Sequence, residues 1–221
     1  MKKSNVTMNE LSEYSNEYRK SLDYICFTLN LLKVRSILIK EKSPHFILGV
    51  IRRFFHSNID IFVDTEKSEE MVFEKLGKRV KTYNLDNIDV VIFPFSLEDE
   101  ENWIDKLNNT LREVSSEFVV VAFRNPFSHK LFLGRGTKET LNPLKVRAIL
   151  KENSYSLVEE KGGLHLKYIF YSLVALIFEK VGLSALHFRF VDRASNSYLT
   201  DNCFLRNLSY IQIIIARKGS R

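Results

Sequence analysis

The sequence from Ser36 to Phe46 reads SILIKEKSPHF, and this stretch decides the fold. Its apolar half, preceded by Val34, is typical of a short buried strand that ends near Ile39. Pro44 suits the first turn of a helix, so the stretch predicts a strand, a tight turn and a helix. Glycines in such a turn would let backbone N–H groups approach an anionic or ribose-bearing ligand closely. Here charged and polar residues occupy the turn, and no glycine is present in it.

Strands and helices alternate on both sides of this stretch. Apolar runs predict strands at 34–39, 58–64, 79–83, 88–95, 117–123, 155–160 and 209–216. Three- and four-residue apolar spacing predicts helices at 9–32, 44–55, 66–76, 97–114 and 144–150. The alternation predicts an α/β fold, in which a doubly wound, mostly parallel sheet carries helices on both faces. Ligands are then expected at the carboxyl ends of the strands.

Composition limits the possible classes of protein. The 221 residues suit one domain over 1–221, with 1–33 as an N-terminal helical segment. A net charge of +6 favours anionic partners, including RNA, DNA or a membrane surface. Two cysteines, Cys26 and Cys203, exclude a disulfide framework and a four-thiolate metal site. No secretory signal follows Met1, so a cytoplasmic location is expected.

A strongly apolar segment runs from Leu164 to Lys180, directly after Gly162-Gly163. Its uncharged run, 168–178, is shorter than the roughly 20 residues that a membrane span needs. The segment therefore predicts a buried or interface helix and no membrane span.

In the order of these elements the chain resembles the class I S-adenosylmethionine-dependent methyltransferases, from about residue 10 to residue 218. Ser36–Leu38 looks like the first strand of that family, and Ile88–Phe95 looks like the fourth. Asp64, at the end of the second predicted strand, is similar to the acidic residue that holds the cofactor ribose. Leu208–Lys218 resembles the final strand of the family, which is antiparallel. The resemblance implies a Rossmann-like methyltransferase fold, with 162–207 as an insertion or substrate cap.

The resemblance also implies S-adenosylmethionine as the cofactor and a set of residues near it. These cofactor-binding candidates are Lys40, Glu41, Ser43, His45, Asp64 and Phe95. Residues 40–45 stand where the family has a glycine-rich turn. Glycine adopts a left-handed backbone easily, whereas other residues are disfavoured in it, so this turn argues against ordinary cofactor binding. Asp64 has an alternative role as the N-cap of a helix that begins at Glu66.

A basic stretch follows the strand at 117–123. Its cations are Arg124, Lys130, Arg135 and Lys138, and phenylalanines lie between them. Such a loop could contact phosphates and stacked bases of RNA, although a solvated charged loop is the simpler explanation. His129, in the same loop, could act as a general base or have no role.

Two functions fit these observations. The first is an S-adenosylmethionine-dependent methyltransferase with a divergent cofactor site, whose methyl acceptor the sequence does not identify. The second is a noncatalytic protein of the same fold that binds a protein partner through Leu164–Leu183, or RNA through the basic loop. No cluster of His, Cys, Asp and Glu has metal-ligand spacing, so no metal is expected.

Overall fold

The computed structural model describes residues 8–40, 44–54, 57–64, 88–125, 141–163, 166–196, 198–202 and 206–219. The helices are α1 (Met8–Leu31), α2 (Pro44–Arg53), α3 (Trp103–Glu113), α4 (Pro143–Glu152), α5 (Leu166–Lys180) and α6 (Ser184–Asn196), with a short 3-10 helix at Ser96–Asp99. The strands are β1 (Ser36–Lys40), β2 (Asp60–Asp64), β3 (Val90–Pro94), β4 (Phe118–Arg124), β5 (Tyr155–Gly163), β6 (Leu199–Thr200) and β7 (Ile211–Lys218). The strand and the helix predicted from Ser36 onward are confirmed, since β1 begins at Ser36 and α2 begins at Pro44, and the turn between them lies outside the described residues.

The described strands form one sheet in the order β2-β1-β3-β4-β7-β5-β6. The first four pair in parallel, whereas β7 is antiparallel to both β4 and β5. The predicted doubly wound, mostly parallel sheet with an antiparallel last strand is therefore confirmed. Strands β1 to β4 and β5 therefore have their carboxyl ends at the same edge of the sheet, which is where such sheets bind ligands.

Each face of the sheet has its own hydrophobic core. Ile37 and Ile39 of β1 face α1 and α2, whereas Leu38 between them faces α3 and α4. All five residues of β3 are buried, as expected of a central strand that is covered on both faces. The alternation along β1 fixes which face of the sheet each helix covers.

Several predicted elements lie outside the described residues. These are the helix at 66–76, the strand at 79–83 and most of the basic loop, including His129, Lys130, Arg135 and Lys138. The helix predicted at 97–114 is divided, because a 3-10 turn at 96–99 precedes α3. Cys26 is buried as its sequence context suggests, and Cys203 is outside the described residues.

The insertion after β5 folds as a helical hairpin, α5 and α6. The sequence predicts only the first of these helices, and it predicts that helix to be buried or at an interface. The buried alternative is wrong for Phe170, Leu173 and Ile177, which are exposed. Among the described residues, none of the helices combines the length and the apolar content that crossing a bilayer requires.

Candidate functional site

The candidate site lies where the parallel strands end. Lys40 and Asp64 occupy the same register position in β1 and β2. Ile39 pairs with Ile92 in the neighbouring β3, so Phe95 lies just beyond the level of Lys40. The fold thus brings three of the sequence-predicted residues, Lys40, Asp64 and Phe95, to one edge of adjacent strands.

The other three candidates follow β1 in the sequence. Glu41 and Ser43 lie outside the described residues, so their place in the site stays a prediction. His45 is the second residue of α2, which begins at the same edge of the sheet. The chain passes from Lys40 to Pro44 through three residues only.

Phe95 has a left-handed backbone, with φ of 61° and ψ of 0°. A bulky residue with positive φ is uncommon and costs about 1–2 kcal/mol relative to the right-handed conformation. The conformation is held by the backbone N–H, which donates to the carbonyl oxygen of Ala122 at 2.7 Å. The half-buried Phe95 also packs against the core that α1 and α2 cover. Backbone strain that is enforced in this way concentrates at functional sites.

Ser96, the next residue, carries a second unfavourable feature. Only 4% of its surface is exposed, and its Oγ has no hydrogen-bond partner among the described residues. A buried hydroxyl without a partner costs about 1–3 kcal/mol, which a ligand that binds to it would offset. Sequence reasoning missed Ser96, and its only signal was a serine directly after the most apolar strand.

Asn125 directly follows the next strand, β4, and fixes the far side of the site. It is fully buried, and its backbone N–H donates to the carbonyl oxygen of Tyr210 at 2.7 Å. Its side-chain Nδ2 donates to the carbonyl oxygen of Asn207 at 2.6 Å. Asn125 therefore ties the end of β4 to the segment that enters β7. It has a structural role that the sequence did not reveal.

A partly buried ion-pair triad supports strand β5, which lies on the other side of β7 from β4. The Glu160 carboxylate, 8% exposed, accepts hydrogen bonds from Arg147 Nε at 2.6 Å and Nη2 at 3.1 Å. It also pairs with Arg206 Nη2 at 2.8 Å. Because the carboxylate is held between two guanidinium groups, it is committed to structure and is a poor candidate for a general base.

A second charged group lies on the opposite face of β5. Lys161 Nζ pairs with Glu159 at 3.2 Å and with Asp201 at 3.4 Å. A backbone hydrogen bond and the Lys161 charge lower the pKa of Asp201. Burial, and then the neighbouring Glu159 carboxylate, raise the pKa of Tyr24 on α1. Lys161, Glu159 and Asp201 are thus paired with one another close to the point where the α5–α6 segment leaves the sheet.

The α5–α6 hairpin starts and ends at the same edge as the site. It leaves β5 after Gly163 and returns at Leu199, which pairs with Gly163 in the sheet. The return is anchored to α1, because the Tyr198 hydroxyl hydrogen-bonds to Ser21 Oγ at 3.2 Å. The hairpin is therefore attached at the edge where a substrate cap would be needed. No group of three or more metal-ligating side chains occurs within the described part of the chain.

No family model matches the sequence, and a search of curated proteins finds no match. Solved structures do match. Magnesium protoporphyrin IX methyltransferase from Synechocystis PCC 6803, with bound SAH, has a TM-score of 0.58 at 10% identity and covers 99% of this chain and 90% of its own. A SAM-dependent methyltransferase from Archaeoglobus fulgidus has a TM-score of 0.53 at 16% identity, with coverages of 94% and 99%.

The chain has the Rossmann-like methyltransferase fold. A further similar structure, the [4+2]-cyclase SpnF, has a TM-score of 0.50 at 13% identity and covers 85% of this chain and 76% of its own. At these identities the likeness concerns the fold alone, and function has to be argued from the site. The fold places Lys40, Asp64 and Phe95 on the edge where ligands of such sheets bind.

Proposed function

We propose that this protein binds S-adenosylmethionine at the carboxyl edge of β1, β2 and β3 and is a methyltransferase with a divergent cofactor site. The observation that carries the proposal is Phe95, whose left-handed backbone and half-buried ring lie at the end of the central strand. Strain of this kind persists where the surrounding structure enforces it, and it is concentrated at ligand sites. When bound, S-adenosylmethionine supplies an activated methyl group on a sulfonium cation.

The residues at this edge fit such a ligand. The Asp64 carboxylate would accept hydrogen bonds from two ribose hydroxyls, and the turn from Lys40 to His45, with Glu41 and Ser43, would border the ligand. The Phe95 ring would attract the sulfonium cation, because aromatic faces attract positive charge. Ser96 Oγ, without a partner among the described residues, would gain one from ligand or acceptor.

Methyl transfer needs little acid–base catalysis by protein side chains. Holding two reactants in line and away from water supplies most of the acceleration in such a reaction. The chain's contribution is then a rigid edge, built by the Phe95 and Asn125 backbone hydrogen bonds, and a cap provided by residues 162–207. The methyl acceptor would approach from the side of the hairpin.

Ligand-induced stabilisation tests the proposal. S-adenosylhomocysteine at 100 times its dissociation constant should stabilise the native protein by about 2.7 kcal/mol. For a domain of this size that corresponds to a rise in Tm of roughly 5–10 °C. The absence of any shift at millimolar S-adenosylmethionine or S-adenosylhomocysteine would refute it. The noncatalytic scaffold would then remain as the alternative.

The role of Asp64 has its own control. Asp64→Asn removes the charge at the carboxyl end of β2, whereas Asp60→Asn makes the same change at the other end of that strand. We expect Asp64→Asn to abolish the thermal shift and Asp60→Asn to keep it. Adenosine as a probe should respond in the same way, since it carries the ribose hydroxyls. Equal thermal shifts in the two variants would show that Asp64 does not bind the ribose hydroxyls.

The RNA prediction remains open. Arg124, half-buried, ends β4 at the same edge of the sheet, and the other three cations of the basic loop lie outside the described residues.

A further inference from the structure

The hairpin formed by α5 and α6 carries an exposed apolar face. Phe170, Leu173 and Ile177 are 59%, 56% and 58% exposed, and Val181 is 65% exposed. Their spacing of three and four residues places them on one side of α5. Val181 continues that side, because its N–H donates to the carbonyl oxygen of Ile177 at 3.1 Å. The exposed residues therefore form a stripe along α5 from Phe170 to Val181.

This stripe is separate from the contact between the two helices. Tyr171 and Phe178 of α5 meet Phe190 of α6, with ring centroids 6.0 and 5.4 Å apart. His187 Nδ1 lies 3.1 Å from the carbonyl oxygen of Ala175 on the same seam. One side of α5 thus packs on α6, while the stripe faces away from it. Contiguous exposed apolar surface of this kind marks a site of association.

Basic side chains lie on the same hairpin as the stripe. Arg189 and Arg193 are exposed on α6 and lie four residues apart, hence on one side of that helix. The Arg193 guanidinium lies 5.4 Å from the centroid of the Phe190 ring, which places its charge at the seam with α5. The exposed Lys180 ends α5. Residues 166–196 contain four basic against two acidic residues, so the hairpin has a net charge of +2.

We propose that the α5–α6 hairpin docks on the surface of an anionic phospholipid bilayer. A helix with an apolar, aromatic-containing face beside arginine and lysine lies in the membrane interface, with its apolar side chains below the headgroups. The arginines then meet the lipid phosphates. A second copy of the hairpin is a poorer occupant, because two hairpins that each carry a net charge of +2 repel each other. The inference does not depend on the methyl donor.

Cosedimentation of the full chain with vesicles tests this inference. The native protein should bind vesicles of phosphatidylcholine mixed with phosphatidylglycerol, and bind phosphatidylcholine alone much more weakly. The Phe170→Ser/Ile177→Ser double variant should lose about 100-fold in affinity, since it removes two side chains that insertion would bury. Arg189→Gln/Arg193→Gln should lose about 30-fold, because each basic residue near an anionic surface adds about tenfold or less.

The chain offers a matched control on α1. Phe27 and Leu31 are 61% and 65% exposed, near the opposite edge of the sheet. Phe27→Ser/Leu31→Ser should bind vesicles like the native protein, and unchanged Tm values would show that both serine variants fold. Equal loss in the control, or equal binding to neutral vesicles, would overturn the inference. So would a native dimer that binds no vesicles and that Phe170→Ser/Ile177→Ser dissociates.

Discussion

Phe95 allows the backbone strain at the candidate site to be measured directly. Its φ of 61° costs a non-glycine residue about 1–2 kcal/mol. Glycine avoids that cost, but it makes the unfolded chain more flexible than alanine does, which lowers stability by about 0.4–1 kcal/mol. Phe95→Gly and Phe95→Ala remove the same ring, so the difference between them reports the backbone. We expect the glycine variant to be more stable than the alanine variant by about 0.5–1 kcal/mol.

Glu100 provides the control for this comparison. Its φ of −97° and ψ of 123° are extended, and its salt bridge to Lys106 at 2.7 Å is lost in both substitutions. There the order should reverse, with alanine more stable than glycine by about 0.4–1 kcal/mol. Urea unfolding followed by fluorescence of the single tryptophan, Trp103, gives the four free energies. If alanine were the more stable at both positions, the left-handed conformation of Phe95 would be refuted.

Two further predictions concern the body of the protein. Burial raises the pKa of Cys26 from 9.0 to about 12, so stability from this group is present below about pH 9 and is lost as pH rises toward 12. In urea titrations above pH 9, the free energy of unfolding of Cys26→Ala should therefore fall less steeply with pH than that of the native chain, by up to about 1.4 kcal/mol per pH unit. Equal slopes of the free energy against pH would contradict this. Gly162→Ala would place a Cβ 2.8 Å from the Arg206 Cα and closer still to Ser209 Oγ, so it should destabilise by about 1–3 kcal/mol. The same urea assay should show little change for Gly219→Ala, where the nearest atom is 3.4 Å away, and similar losses in both would contradict the clash.

The sheet could be predicted from the sequence because its signal is local. The apolar runs at 34–39, 88–95 and 117–123 contain most of the strands Ser36–Lys40, Val90–Pro94 and Phe118–Arg124, and Pro44 starts α2 as proline at a first turn should. Asp64 also ends its strand as predicted. The apolar run stops at this acidic residue, so the end of the strand can be read from the sequence. Strand order is not local and was not predicted, whereas the antiparallel last strand was predicted only through the resemblance to a known family.

The detail of the candidate site could not be predicted from the sequence, because it depends on tertiary contacts. The left-handed Phe95 donates its backbone N–H to Ala122 on a neighbouring strand, and no sequence pattern encodes that bond. The turn it starts is the reason that the predicted helix at 97–114 is divided. Burial of Ser96 likewise results from packing. Exposure of the α5 stripe was missed for the opposite reason, because an apolar sequence does not show which of its faces remains uncovered.

The position of the hairpin connects the two proposals. It leaves the sheet at Gly163 and returns at Leu199, and both lie at the edge where Lys40 and Asp64 end their strands and Phe95 follows β3. A hairpin that rests on a bilayer would hold that edge toward the lipid. An acceptor dissolved in the membrane would then reach the site without crossing water, whereas a soluble acceptor would gain nothing from the apolar stripe. If both proposals hold, the geometry favours an apolar methyl acceptor that resides in the membrane.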